Sequence, residues 1–216
     1  MPARKKTDAD KQPMAHNRYK VTLHFYEDLL ASVPDTQEVY ESYVQAKVRS
    51  TNGNGRAYAD ELQTLSVAKD KTDFHRLGNT PILYDYVIKG FMKESCAHLR
   101  QVGGWNYSTE LTAYKTLINA AILIRPRRIP LQLAAGPTYD FARILRADTA
   151  QGPRTLPVCS VTAKPGTWLE FEMEVIGNKI TEALLTEWFD HAAWVGLGQW
   201  RSGGWGRFTY QLTSIA

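Results

Sequence analysis

Apolar and polar positions alternate over Arg18–Phe25, with Tyr19, Val21, Leu23 and Phe25 on one side and Arg18, Lys20, Thr22 and His24 on the other. A period of two in β-forming residues predicts a half-buried strand. Thr167–Ile176 carries a looser version, in which Trp168, Phe171, Met173 and Val175 oppose Glu170, Glu172 and Glu174. Leu156–Thr162 reads as another strand. The intervening Lys164-Pro-Gly166 is a turn, because proline presets φ and glycine admits φ > 0. These two strands are expected to form a hairpin, and Thr209–Thr213 is expected to close the chain as a strand.

Elsewhere the period changes to that of a helix. Ile88, Phe91, Met92, Ser95 and Leu99 fall on one face of a helix predicted over about 82–100 and ended by Gly103-Gly104. Lys89, Lys93 and Arg100 lie on a neighbouring face, read first as solvated and second as a phosphate-tracking ridge. Ile180, Ala183, Leu184, Trp188, Phe189 and Ala192 form the stripe of a last helix, expected to open at Gly177-Asn178. A helix is also expected after Pro34, capped by Asp35 with Glu38 in the capping-box position, buried through Val39, Tyr43 and Val44, and broken at Thr51–Gly55. Glu110–Asn119 predicts a further helix running into Ala120–Ile124. Residues 52–80 are weakly patterned and read as an insertion. The order fits an α+β fold with a ferredoxin-like, RNA-recognition-type βαββαβ core, enlarged by insertions. Residues 17–216 read as one domain, with its insertion around 50–80.

Composition narrows the function only modestly. The 216 residues are 44% hydrophobic and 22% charged, enough to bury a core, and the net charge of +4 permits a polyanionic partner. Residues 1–16 read as a disordered basic tail, with Arg4, Lys5, Lys6 and Lys11, serving either as a solubilising leader or as a nucleic-acid contact. Cys96 and Cys159 are expected to be buried free thiols, too few for a disulfide framework. No apolar run approaches the roughly 18 residues of a membrane span, so a cytoplasmic protein with no membrane partner is expected. Dinucleotide, Walker and zinc spacings are all missing, so no cofactor and no metal site are expected. The three alternating glutamates read as a solvent face.

The densest feature is Gly196-Leu-Gly-Gln-Trp-Arg-Ser-Gly-Gly-Trp-Gly-Arg-Phe208, which joins the last helix to the last strand. Glycines at 196, 198, 203, 204 and 206 imply backbone shapes or close approaches that a Cβ would block. Trp200 and Trp205 offer stacking faces, and Arg201 and Arg207 offer guanidinium forks. The bland alternative is a tightly packed connection with no ligand. Arg125, Arg127 and Arg128 are the densest positive charge outside the tail.

The helix–glycine loop–strand segment resembles the C-terminal glycine-rich loop of the RAMP superfamily, repeat-associated proteins of CRISPR systems. Pro165–Ile176 is similar to the strand that precedes the last helix there, and Ile88-Lys-Gly-Phe-Met-Lys-Glu94 to the Leu-Lys-Gly helix start of backbone subunits. The resemblance implies a ferredoxin-like fold and an RNA-binding, non-catalytic, backbone-like subunit of a CRISPR-related ribonucleoprotein in antiviral defence. A divergent or virus-encoded relative would carry the same features. It implies single-stranded or guide RNA as partner, together with other subunits or further copies of this chain. The implied RNA-binding set is Gly196, Gly198, Arg201, Ser202, Gly203, Gly204, Gly206 and Arg207, to which Lys89, Lys93, Arg125, Arg127, Arg128, Trp200 and Trp205 are added from their charge and chemistry.

Leu29–Thr36 lacks the glycine-rich, aspartate-bearing segment of target-cleaving backbone subunits, so target cleavage is not implied. Two other functions stay open. A metal-independent endoribonuclease would need a general acid and base, for which His191 and His75 are the candidates. An interaction protein would reuse the fold without nucleic acid.

Overall fold

A computed structural model describes residues 15–34, 71–102, 106–149 and 152–215. In chain order the strands are β1 (His16–Phe25), β2 (Leu29–Leu30), β3 (Val33–Pro34), β4 (Lys71–Asp73), β5 (His75–Leu77), β6 (Thr80–Tyr84), β7 (Ile122–Arg125), β8 (Arg128–Pro130), β9 (Tyr139–Thr149), β10 (Gly152–Ala163), β11 (Trp168–Ile176) and β12 (Phe208–Ile215). The described α-helices are α1 (Asp85–Val102), α2 (Tyr114–Ala121) and α3 (Glu182–Val195). The fold is α+β.

The alternating pattern of β1 works as the sequence predicts; on β11 the first apolar position is Leu169 rather than Trp168, which lies on the glutamate face and stacks on His24 at 6.0 Å. Both strands lie in a four-stranded antiparallel sheet of order β12-β1-β11-β7. One face carries Tyr19, Val21, Leu23 and Phe25 with Leu169, Phe171, Met173 and Val175, all buried. Helices α1 and α3 cover that face: the Phe91 ring lies 5.2 Å from Phe189 and 6.4 Å from Phe208, which in turn meets Phe25 at 5.7 Å. The opposite face is polar, and diagonal ion pairs cross it. Lys20 meets Glu170 at 3.0 Å, Arg18 meets Glu172 at 3.2 Å, and His16 meets Glu174 at 3.3 Å. Each exposed pair contributes only about 0.2–1 kcal/mol, so burial on the other face holds the sheet.

A second sheet has the order β2-β10-β4-β3, with β9 also paired to β10, and β4 runs parallel to β10. A third, of order β5-β6-β8, is antiparallel. The expected hairpin between Leu156–Thr162 and Thr167–Ile176 does not form. The turn at Lys164–Gly166 is present, with Thr167 N donating to Lys164 O at 3.2 Å, but it passes the chain from the second sheet to the first. Gly166 N donates instead to Phe25 O at 2.8 Å. The partner of β10 is β9, in a register running from Tyr139↔Thr162 to Thr149↔Gly152.

Helix boundaries also move. The segment 82–84 belongs to β6, whose pairing with β5 and β8 commits its backbone to a sheet, so α1 begins at Asp85. Asp85 N donates to Arg127 O at 3.0 Å, tying the helix start to the arginine turn. The helix expected from Glu110 begins at Tyr114 instead, after a 3₁₀ turn over Tyr107–Glu110. Glu187 fixes that turn by accepting from Tyr107 N at 2.7 Å and Ser108 N at 3.1 Å. The last helix opens at Thr181, whose hydroxyl accepts from Leu184 N, rather than at Gly177-Asn178. Ala183 is exposed, while the rest of that expected stripe is buried. Cys96 is buried, but Cys159 is only partly so. Of the expected basic tail over 1–16, residues 1–14 lie outside the described residues and His16 opens β1; the helix after Pro34 and the break at Gly103-Gly104 also lie outside them, and within the expected insertion 71–80 contributes strands.

Neighbouring positions on β11 should separate the two faces energetically. Phe171→Ala should cost about 3–5 kcal/mol in urea denaturation. Glu172→Gln, on the ion-paired face, should stay within about 0.5 kcal/mol of the parent.

Candidate functional site

The glycine loop crosses itself. A Cβ on Gly206 would lie 1.9 Å from Leu197 O, and one on Gly196 would lie 2.3 Å from Trp205 O. A Cβ on Gly198 would lie 2.4 Å from Leu30 O, so the loop is also pressed against β2. All three have φ between +72° and +96°, which L side chains rarely adopt. Bare backbone is therefore required at each. The contacts are hydrogen bonds as well: Leu197 N donates to Gly206 O at 2.9 Å, Gly206 N to Asp28 O at 2.8 Å and Gln199 N to Leu30 O at 3.1 Å. The amides of Gly196, Gly203 and Gly204 donate to Ala192 O, Trp200 O and Arg201 O. Six loop amides thus donate to the protein's own carbonyls.

Side chains of the loop pack against β9. The Arg143 guanidinium stands 4.6 Å over the Trp200 ring and donates from Nη2 to Gln199 Oε1 at 3.1 Å. Trp200 and Trp205 stack at 6.0 Å, and Phe141 meets Trp205 at 4.7 Å. Burial pulls the Arg143 pKa below the usual arginine value, though a guanidinium stays charged at neutral pH. Arg143 Nε and Nη1 and Arg207 Nε are buried without a hydrogen-bond acceptor. Arg201 turns the other way and pairs with Glu94 of α1. Ser202 and Gly203 are exposed at the tip.

Beside that ion pair lies a cavity of about 530 Å³. Leu197, Gly198 and Arg201 of the loop form one wall, Val87, Gly90 and Glu94 of α1 a second, and His75, Ile82 and Tyr84 of the third sheet another. Tyr86 stands at its edge, 55% exposed, stacked on Tyr84 at 5.4 Å with 13° between the planes. The His75 ring meets Tyr84 edge-on at 4.8 Å, and its Nε2 is 3.4 Å from the Tyr86 hydroxyl. Tyr86, Lys89 and Lys93 follow at i, i+3 and i+7, so they share a face of α1. Arg128 is in register with Tyr84 across β6 and β8, on the same face of the third sheet. Lys89, Lys93 and Arg128 carry no ion pair among the described residues.

The fold has a solved counterpart. A chain of the type III-B Cmr-beta structure bound to cognate target RNA, determined by cryo-electron microscopy, matches with a TM-score of 0.50 at 12% identity. The match covers 93% of this chain and 62% of that one, so this chain spans less than two thirds of its neighbour's length. At that identity the likeness is one of fold. No protein-family model matches the sequence, and no curated protein matches it either.

The structure gathers some of the expected residues and separates others. His75, Gly198 and Arg201 line the cavity, while Lys89 and Lys93 share the face of α1 that carries Tyr86, and Arg128 pairs in register with Tyr84. Arg125 and Arg127 face a different cleft, which they share with Lys20 and Glu170, and Arg125 lies 3.8 Å from Glu174. His191 is not among the cavity's lining residues. Its Nδ1 is 3.0 Å from the buried Ser95 hydroxyl, and its ring is 5.4 Å from His98. Tyr84, Tyr86, Glu94 and Arg143 escaped the sequence reading. For the tyrosines a signal existed: they flank Asp85, where the strand period gives way to the helix period. No helix among the described residues is long and apolar enough to cross a membrane.

Two outcomes follow from this geometry. Gly206→Ala should cost about 1–3 kcal/mol for its φ and a similar amount for overpacking, read by urea denaturation. Gly90→Ala, with open space around its Cβ in a regular helix, should instead stabilise by about 0.5–1 kcal/mol. The histidines set a pH response. Burial lowers the pKa of His75, and burial followed by the neighbouring His98 lowers that of His191. A lowered folded-state value means that protons bind the unfolded chain more tightly. Stability should therefore be complete above the ordinary histidine value near about 6.5 and fall as the pH drops through it. The melting temperature of a His75→Gln, His191→Gln double variant should fall less between neutral and mildly acidic pH.

Proposed function

We propose that this chain is an RNA-binding subunit of a CRISPR-related ribonucleoprotein, of the RAMP type, which holds single-stranded or guide RNA without cleaving it. The observation that carries the reading is the juxtaposition of Lys89, Lys93 and Arg128, unpaired among the described residues, with the aromatic cavity bounded by the glycine loop. Cations with no ionic partner attract a phosphate backbone, and aromatic faces beside them receive bases; single-stranded nucleic acid needs both. Two further facts support it. The strand order β12-β1-β11-β7, with α1 following β1 and α3 following β11, suits a ferredoxin-like core with insertions. The fold is also shared with a chain of a structure that contains cognate target RNA.

Within this reading the loop glycines shape the wall and the arginines divide their work. Arg201 is balanced by Glu94, whereas Arg143 and Arg207 keep buried N–H groups with no acceptor. A second reading, a metal-independent endoribonuclease, rests on His75, which lines the cavity within reach of the Tyr86 hydroxyl. RNA cleavage in EDTA that disappears in His75→Ala would favour it.

Binding of a fluorescent single-stranded RNA should weaken steeply with salt, and Lys89→Ala, Lys93→Ala and Arg128→Ala should each reduce the slope of log K against log salt by about 1. Wild-type affinity and slope in the triple variant would show that RNA does not follow this surface.

A further inference from the structure

We infer that the cavity between α1, the third sheet and the glycine loop seats one unstacked base of the bound RNA, with Tyr86 as its stacking platform. The inference rests on the RNA-binding reading and adds which part of the RNA enters and what holds it.

The chemistry of the lining decides between a base and a phosphate. Among the described residues that line the cavity, Arg201 is the one lysine or arginine, and Glu94 neutralises it. A phosphate there would face a carboxylate and displace an existing ion pair. An uncharged planar ring meets no such opposition. The cavity floor is apolar, formed by Ile82, Phe91 and Leu197. Tyr84 and Tyr86 lie nearly parallel, so Tyr86 is held in a fixed plane at the entrance while keeping more than half of its surface exposed. His75 locks the pair from the side. A preorganised ring of this kind loses little side-chain freedom on stacking.

Size agrees. Pockets for small organic groups occupy about 300–1,000 Å³, and this one measures about 530 Å³. Gly90 is part of the wall, and nothing lies within 4 Å of where its Cβ would stand, so the helix leaves room for the ring. The Glu94–Arg201 pair presents an acceptor and a donor side by side, which matches the mixed donor and acceptor edge of a base. Lys89 and Lys93 on the Tyr86 face of α1, and Arg128 beside Tyr84, flank the opening where the phosphates on either side of an inserted nucleotide must pass. Cations outside and a neutral aromatic cavity inside is the arrangement expected where a strand runs past and one base turns in.

A double-mutant cycle on the intact chain tests this. A single-stranded RNA is prepared with one abasic site moved position by position, and its affinity is measured for the parent, Tyr86→Ala and Tyr86→Phe. Tyr86→Ala should weaken binding of intact RNA roughly 5- to 150-fold, the range of one base–aromatic stack. It should leave the salt slope unchanged, because stacking releases no counterions. Tyr86→Phe should bind like the parent. At one register the abasic RNA should bind the parent less tightly yet lose nothing further in Tyr86→Ala. Additive effects at every position, or a salt slope that falls with Tyr86→Ala as it does with Lys89→Ala, would overturn the inference while leaving RNA binding standing. A parent protein that binds no RNA would overturn both. A cooperative melting transition retained in each variant above the assay temperature excludes unfolding as the cause.

Discussion

The structure depends on one close approach of backbone to backbone, the crossing of the glycine loop at Leu197 and Gly206. There a carbonyl oxygen occupies space that any Cβ would claim, and a hydrogen bond from Leu197 N to Gly206 O closes the crossing. The crossing fixes the exit of α3, the entry of β12 and the seat of the loop on Asp28 and Leu30 at once. Through Gln199, which accepts from Ser160 at 2.8 Å and from Arg143 at 3.1 Å, the loop also reaches the second sheet. Three parts of the molecule thus meet on one backbone knot. The cavity wall made by Leu197, Gly198 and Arg201 is as rigid as that knot.

Rigidity explains the division between glycines and side chains. A glycine-rich loop next to arginines invites comparison with phosphate cradles, in which amides do the binding. Here six amides are already bonded within the protein, and the loop also contributes shape, an ion pair and aromatic surface. A similar economy governs the first sheet. Its open face has basic residues on β1 and acidic ones on β11, and diagonal pairing cancels much of their charge. An RNA strand laid across that face would have to compete with the glutamates. Lys89 and Lys93 of α1 and Arg128 of β8, away from that face, are among the cations with no ion pair to a described residue.

Much of the fold was legible because its core follows simple periods. The alternation at Tyr19–Phe25 and the helical stripe at Ile88–Leu99 each place a buried face where the structure has one. The failures share a cause: long-range partners that leave no local mark. Thr162 pairs with Tyr139 instead of across the Lys164–Gly166 turn, because β10 and β11 belong to different sheets. The residues at 82–84 read as helix because the apolar pattern of α1 runs smoothly back into them; pairing with β5 and β8 overrides it. For the site, glycine density marked the loop and charge marked Lys89 and Lys93. Three arginines in four residues looked like one patch, yet the bend at 126–127 divides them: Arg128 opens β8 in register with Tyr84, while Arg127 shares a cleft with Lys20.

Arg201 shows why residue type alone misleads at such a site. Read from the sequence it is a guanidinium fork within a glycine-rich loop. In the structure it pairs with Glu94 beside the cavity, so that among the described lining residues the guanidinium is balanced by a carboxylate. Neutrality has a consequence for selectivity. A cavity with a free guanidinium would draw in any anion, including the phosphate of a neighbouring nucleotide, and the strand could slip in register. With the pair made, the cavity favours a ring over a phosphate, and the surrounding cations favour phosphate over a ring. Separating the two preferences in space gives an extended strand one arrangement that satisfies both. The glycine crossing maintains this separation, because it fixes the backbone on which Arg201 is held.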